Sequence, residues 1–191
     1  MARRDCKAEE RLGEIFTSRE GCIFFIVEYN SATDVTVKFK DEYAVEVHTT
    51  YQNCKSGLVK NPYFKSVYGV AYLGEGDFVT TVNGKPTREY ALWKGMLQRC
   101  YSDKYHKKQP TYTSCYVCDR WLCFANFLED LPLIENYELW LNDEERMSLD
   151  KDLKQVGVKN KIYSLDTVRF ITVSENTMEA NERKRVLRNK S

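Results

Sequence analysis

Hydrophobic positions in the first third of the chain repeat with a period of two. Val35, Val37 and Phe39 fall on one side of an extended segment, and Thr36, Lys38 and Lys40 on the other, the signature of a half-buried strand. Ile23 to Tyr29 and Tyr43 to His48 read as two further strands. The polar stretch Asn30-Ser31-Ala32-Thr33-Asp34 and the triplet Lys40-Asp41-Glu42 supply the turns between them. The pattern predicts a three-stranded antiparallel meander within roughly residues 11 to 75, which needs a covering element to be stable. Lys55-Ser56-Gly57 and Asn61-Pro62 punctuate the chain after the third strand, and Gly69, Gly74 and Gly76 mark an irregular, tyrosine-rich connector.

The period then changes. Trp93, Met96, Leu97 and Cys100 recur at i, i+3, i+4 and i+7, which predicts an amphipathic helix from about Thr87 to Tyr101 with its basic residues off the apolar stripe. Cys115 to Cys118 reads as a strand and Trp121 to Leu128 as a short helix. Further strands are expected around Met147 to Leu153 and Val168 to Thr172, with a loop through Lys159-Asn160-Lys161 between them. Thr172-Val173-Ser174-Glu175 has the spacing of a capping box that opens a last helix. The expected fold class is α+β: a small N-terminal antiparallel β module over residues 1–75 and a second α+β domain over 76–191.

Composition narrows this picture. With 191 residues, 42% hydrophobic and 30% charged, the chain is in the range of ordinary globular proteins. The 13 Tyr, 9 Phe and 3 Trp allow small cores to be built from large side chains, or bases to be stacked. A net charge of +1 excludes a uniformly basic nucleic-acid binder. The charge is segregated, however. Lys94, Arg99, Lys104, Lys107 and Lys108 cluster between Trp93 and Lys108, and Arg183, Lys184, Arg185 and Arg188 lie near the C-terminus. From Trp121 to Glu145 there are acids but no Lys or Arg. Local basic patches of this kind hold phosphate backbone despite a neutral total; chance clustering on solvated faces is the alternative.

The opening Met1-Ala2-Arg3-Arg4-Asp5-Cys6-Lys7 lacks the apolar stretch of a secretory leader. The longest apolar run, Cys22 to Val27, is too short to span a bilayer. Seven cysteines without a leader point to free thiols in a reducing, cytoplasmic setting.

The chemistry is concentrated between Met147 and Asn181, in a strand, loop, strand and capped helix. Leu149-Asp150-Lys151-Asp152, Tyr163-Ser164-Leu165-Asp166-Thr167-Val168-Arg169-Phe170 and Ser174-Glu175-Asn176 resemble the Asp-His-x-Asp, Tyr-Ser-Pro-Glu-Asn-Cys-Arg-Trp and Glu-Asn motifs of the HNH endonucleases carried by bacteriophages, the ββα-metal or His-Me finger family. Upstream, Trp93-x-x-Met96-Leu97-x-Arg99-Cys100 and Val117-Cys118-Asp119-x-Trp121-x-x-Phe124-x-x-Phe127 are similar to a block that precedes this core in many phage HNH-like proteins. Lys60-Asn61-Pro62-Tyr63 and Val67-Tyr68-Gly69-Val70 look like the β module of one phage subgroup.

The resemblance implies metal-assisted phosphodiester hydrolysis on double-stranded DNA in a bacterial host cell. Asp150 and Asn176 fall on the metal positions, where hard oxygen ligands suit Mg²⁺ or Mn²⁺. Lys151 replaces the general-base His, and Thr167 the middle Asn. A lysine must lose its proton before it can activate water, at roughly 4 kcal/mol at pH 7, whereas a charged lysine is suited to hold a phosphate. The expected site is therefore Asp150, Lys151 and Asn176, with Arg99, Lys107, Lys108, Arg169, Arg183, Lys184 and Arg185 as candidate DNA contacts. The plain alternative makes Asp150 and Lys151 surface charges on a strand. A non-catalytic descendant is the competing function, binding DNA or a host defence protein, with the acidic stretch meeting a basic partner.

Other clusters carry less. Cys115-x-x-Cys118 with Cys100, Cys123 and His106 has zinc-like spacing, but these positions also suit buried thiols, and zinc is not expected. His48 and His106 are isolated in sequence. Gly74-Glu75-Gly76 lacks the surroundings of a phosphate loop.

Overall fold

The structure, a computed structural model, describes residues 8–142, 146–178 and 181. It is mixed α+β and divides into two compact units, residues 1–64 and 65–191. The border lies earlier than position 75 because Val67 and Ala71 are buried in the second core.

The first unit runs α1 (Ala8–Arg11), β1 (Ile15–Thr17), β2 (Ile23–Ser31), β3 (Asp34–Phe39), β4 (Glu46–Thr49) and α2 (Tyr51–Ser56). Its strands form one antiparallel sheet in the order β1-β2-β3-β4. The expected meander is there, with an additional edge strand, β1. Phe24 pairs with Phe39 and Ile26 with Val37, and all four are buried. A register shift between Ile26 and Glu28 then lets Tyr29 turn inward while Glu28 stays outside, within reach of Thr36.

The third predicted strand starts later than Tyr43. Asp41 Oδ1 accepts the backbone N–H groups of Tyr43 (3.1 Å) and Ala44 (2.9 Å), and Ala44 has φ +50°, so the turn extends through it. Helix α2 belongs to the covering element. Thr50 caps its start by accepting from Asn53 N, Gly57 ends it at φ +65°, and Cys54 and Val59 close the core beneath.

The second unit opens with the hairpin β5 (Thr81–Val82) and β6 (Lys85–Pro86), followed by α3 (Arg88–Tyr101) and α4 (Asp103–Lys108). Next come β7 (Cys115–Val117), α5 (Phe124–Asp130), α6 (Tyr137–Asn142), β8 (Met147–Asp150), β9 (Lys161–Tyr163) and β10 (Arg169–Thr172). Residues 173–178 continue as a helix, α7. The α3 stripe behaves as its spacing predicts: Trp93, Met96, Leu97 and Cys100 are buried against Trp121, Phe124, Phe127, Tyr163 and Phe170. Trp93 also donates to the Trp121 carbonyl at 2.7 Å, so its indole N–H is satisfied inside the core.

Two strand pairs shape the C-terminal part. β8 runs antiparallel to β10, with α7 directly after β10. β7 runs parallel to β9, pairing Cys115 with Lys161 and Val117 with Tyr163. Lys161 thus begins a strand where a loop was expected. The strand predicted to reach Leu153 stops at Asp150, for a reason that lies in the site itself.

Candidate functional site

Along β8 the side chains alternate. Leu149, opposite Phe170, is buried in the core, so Ser148 and Asp150 lie on the other face, each opposite a residue of β10: Ile171 and Arg169. Helix α7 starts with the expected capping box: Glu175 N donates to Thr172 Oγ1 (3.2 Å) and Thr172 N donates to Glu175 Oε2 (2.9 Å). The backbone and side-chain bonds from Thr172 hold the Glu175 carboxyl below its usual range. One residue on, Asn176 Nδ2 donates to Ser148 Oγ at 3.3 Å. Asp150, Arg169 and Asn176 are therefore held around one face, with Asn176 anchored one pleat from Asp150, roughly 7 Å along the strand.

Asp150 is 5% exposed and is no surface charge. Its Oδ2 accepts the backbone N–H groups of Asp152 and Leu153, both at 2.9 Å, which turns the chain and ends β8. Its Oδ1 accepts no hydrogen bond from the described residues, and Asn176 likewise keeps its carbonyl oxygen. Two hard oxygens thus remain, of the type Mg²⁺ and Mn²⁺ prefer. Among the described residues no group of three His, Cys, Asp or Glu side chains forms a metal set.

Lys151 points elsewhere. Also 5% exposed, it donates to Asp152 Oδ1 at 3.0 Å and lies over the rings of Tyr112 (4.6 Å) and Tyr163 (5.6 Å). Lys161 reaches the same Asp152 oxygen at 2.5 Å. Burial pushes the Asp152 carboxyl up, but the hydrogen bonds from Lys161 and Lys151 outweigh it and hold the group down to about 2. Arg99 stacks over Tyr163 from α3, 5.5 Å from the ring centre. Burial raises the Tyr163 hydroxyl well above its ordinary value, with Arg99 opposing.

The remaining candidates fall into place around these two groups. His106 Nε2 lies 2.9 Å from the Arg99 carbonyl, and Tyr105 packs edge-on against Tyr112, which ties α4 to the cluster. Lys107 and Lys108 are exposed on that helix. Arg169 donates weakly to Glu135 at 3.5 Å, and its Nε is buried without a partner. Arg183, Lys184, Arg185 and Arg188 lie outside the described residues. Thr167 staples the turn before β10, donating to the Ile162 carbonyl at 2.7 Å and accepting from Ser164 N at 3.0 Å.

The cysteines described are free thiols. Cys100 is pushed up to about 12 by burial and by the neighbouring Cys115, whereas Cys123 packs under Gly74. His48 stands on β4 in the first unit, 3.4 Å from Asp34. Asp152, Lys161, Tyr112 and Tyr163 are not among the site residues expected from sequence. Lys161 and Tyr163 are positioned by the β7–β9 pairing, which no local pattern encodes, and Asp152 and Tyr112 by the turn after β8 and the segment before β7.

No described helix is long and apolar enough to cross a membrane. Family models, curated proteins and solved structures offer no match to this chain.

Proposed function

We propose that this chain is an HNH-like, His-Me-finger-type DNA-binding protein of the bacteriophage kind, in which Asp150 and Asn176 hold Mg²⁺ or Mn²⁺ for phosphodiester hydrolysis. The observation that carries the reading is the antiparallel β8–β10 pair followed at once by α7, with Asp150, Arg169 and Asn176 around one face. A divalent ion bound there supplies Lewis-acid stabilisation of charge on a departing oxygen. Asp150 contributes its open oxygen from a turn that its other oxygen has made rigid. Asn176 contributes its carbonyl while Ser148 fixes the amide. Arg169, directly across from Asp150 and held to Glu135 by a long 3.5 Å contact, is the cation this reading assigns to a phosphate.

One observation favours a second reading, a non-catalytic descendant that binds DNA or a host defence protein. Lys151, at the position of the family's base, is engaged with Asp152 rather than turned toward Asp150's open oxygen. The acidic stretch is a weaker argument for a protein partner, because Arg120 pairs with Glu129 and Asp130, and Lys154 and Arg169 pair with Glu135.

Nicking of supercoiled plasmid with Mg²⁺ or Mn²⁺ separates the two. Asn176→Ala is the variant of choice, since Asp150 also holds the turn. Metal-dependent nicking by the wild type that Asn176→Ala abolishes supports hydrolysis. Duplex binding with no nicking under either metal leaves the non-catalytic reading.

A further inference from the structure

Three cations crowd a partly enclosed cluster that the proposed metal face does not use. Lys151 and Lys161 share one oxygen of Asp152, and the Arg99 guanidinium shares the ring of Tyr163 with Lys151. No carboxylate among the described residues pairs with Arg99; the Tyr163 hydroxyl is the neutral group its guanidinium meets, and its Nε is buried without a hydrogen-bond partner. Surplus positive charge and an unanswered guanidinium donor in a partly desolvated place are costly unless an anion answers them.

We propose that Arg99, Lys151 and Lys161 form an oxyanion pocket that takes a phosphodiester of the nucleic-acid backbone, apart from the Asp150–Asn176 face. This rests on the DNA-binding reading and extends it to a second, non-catalytic contact.

The parts suit that ligand. A guanidinium presents planar donors that match phosphate oxygens, and two ammonium groups add charge without demanding one geometry. The fold builds the pocket from three places. Arg99 comes from the last turn of α3, Lys151 from the turn after β8, and Lys161 from β9, whose parallel pairing with β7 sets Lys161 beside Cys115. Tyr112 and Tyr163 wall it, their rings under the Lys151 ammonium, and as phenols both are neutral at neutral pH. Arg99, Tyr112 and Lys161 are each partly exposed, which leaves an edge open to solvent. Helix α4, tied to Arg99 through His106, carries Lys107 and Lys108 in the open, where a backbone leaving the pocket meets further charge. Asp152 is the counter-charge that lets the two lysines approach each other before a ligand arrives.

The test is duplex binding followed by fluorescence anisotropy across a salt series of roughly 50 to 200 mM. Wild type, Arg99→Gln and Lys161→Met are compared, with inorganic phosphate tested alone by thermal shift. Loss of one phosphate contact lowers the log–log salt slope by roughly 0.9 and weakens binding severalfold. Arg99→Gln and Lys161→Met are each expected to show this.

Unchanged slopes in folded Arg99→Gln and Lys161→Met overturn the pocket and make the cluster a purely internal one. If Arg99→Gln does not fold, Lys161→Met decides alone on the same readout. Stabilisation by inorganic phosphate without any change of DNA slope identifies a free-anion site and also overturns the nucleic-acid assignment. Absence of duplex binding by the wild type instead sinks the DNA reading on which the pocket depends.

Discussion

The Lys161 ammonium lies 2.5 Å from Asp152 Oδ1, the oxygen that Lys151 also reaches at 3.0 Å. Asp152 is held down to about 2, although burial pulls the other way. A carboxyl depressed in the folded state adds stability that is full above its unfolded value, near 4, and lost as pH falls through about 2. Asp152→Asn is therefore expected to cost about 2 kcal/mol at pH 7, with the gap closing between those two values. Urea unfolding of both proteins across that range checks it; a gap that stays constant down to the lower limit refutes the linkage.

Gln155 ties the loop after β8 to β9. Its Nε2 donates to the carbonyls of Lys151 and Ile162, both at 2.8 Å, and its Oε1 accepts from Ile162 N at 2.9 Å. Gln155→Ala leaves those buried backbone groups unanswered and is expected to cost about 2–3 kcal/mol. Native-state proteolysis should show faster cleavage between residues 152 and 160; equal cleavage rates would count against the tie.

Gly74 has φ +74°, and a Cβ there would stand 2.5 Å from Cys123 Sγ and 3.2 Å from Ala125 Cβ. Gly74→Ala therefore combines backbone strain with a clash, for an expected loss of about 2–4 kcal/mol. Thermal unfolding reads this directly. A melting temperature within a degree or so of wild type is the contrary result.

Burial pushes the thiols of Cys54 and Cys100 up to about 11 and about 12. Thiolate, the reactive form, is then scarce at pH 8 in both. Alkylation under native conditions should leave these two in the slow phase, and Cys54→Ser or Cys100→Ser should leave the fast phase unchanged. Loss of fast-reacting thiol in either variant contradicts it.

The site was legible only in part. Asp150, Asn176, Arg99 and Lys151 are visible as residues of a strand, a helix and a stripe-bearing helix, and the capping box places Asn176 within the first turn of α7. Their exposure was not legible. A polar residue at a strand end reads as surface from its own sequence, and Asp150 and Lys151 are buried because neighbours far along the chain supply their surroundings. Asp41 and Asp150 also moved two strand limits, each by accepting backbone N–H groups a few residues on, a choice a periodic pattern does not record.

By itself the sequence determined the local features: the two-residue alternation of β3, the Trp93-Met96-Leu97-Cys100 stripe, and the capping box at Thr172. Each depends on side chains within a turn or two of one another, so neighbouring residues suffice to specify it. The tertiary structure decided which strands pair. The parallel alignment of β7 with β9 sets Lys161 beside Cys115 and Tyr163 beside Val117, Gln155 ties the turn that carries Asp152 to β9, and the β8–β10 register sets Arg169 across from Asp150. Those pairings are chosen by burial of the shared core around Trp93, Trp121 and Phe170, a quantity that belongs to the whole unit and to no single stretch of it.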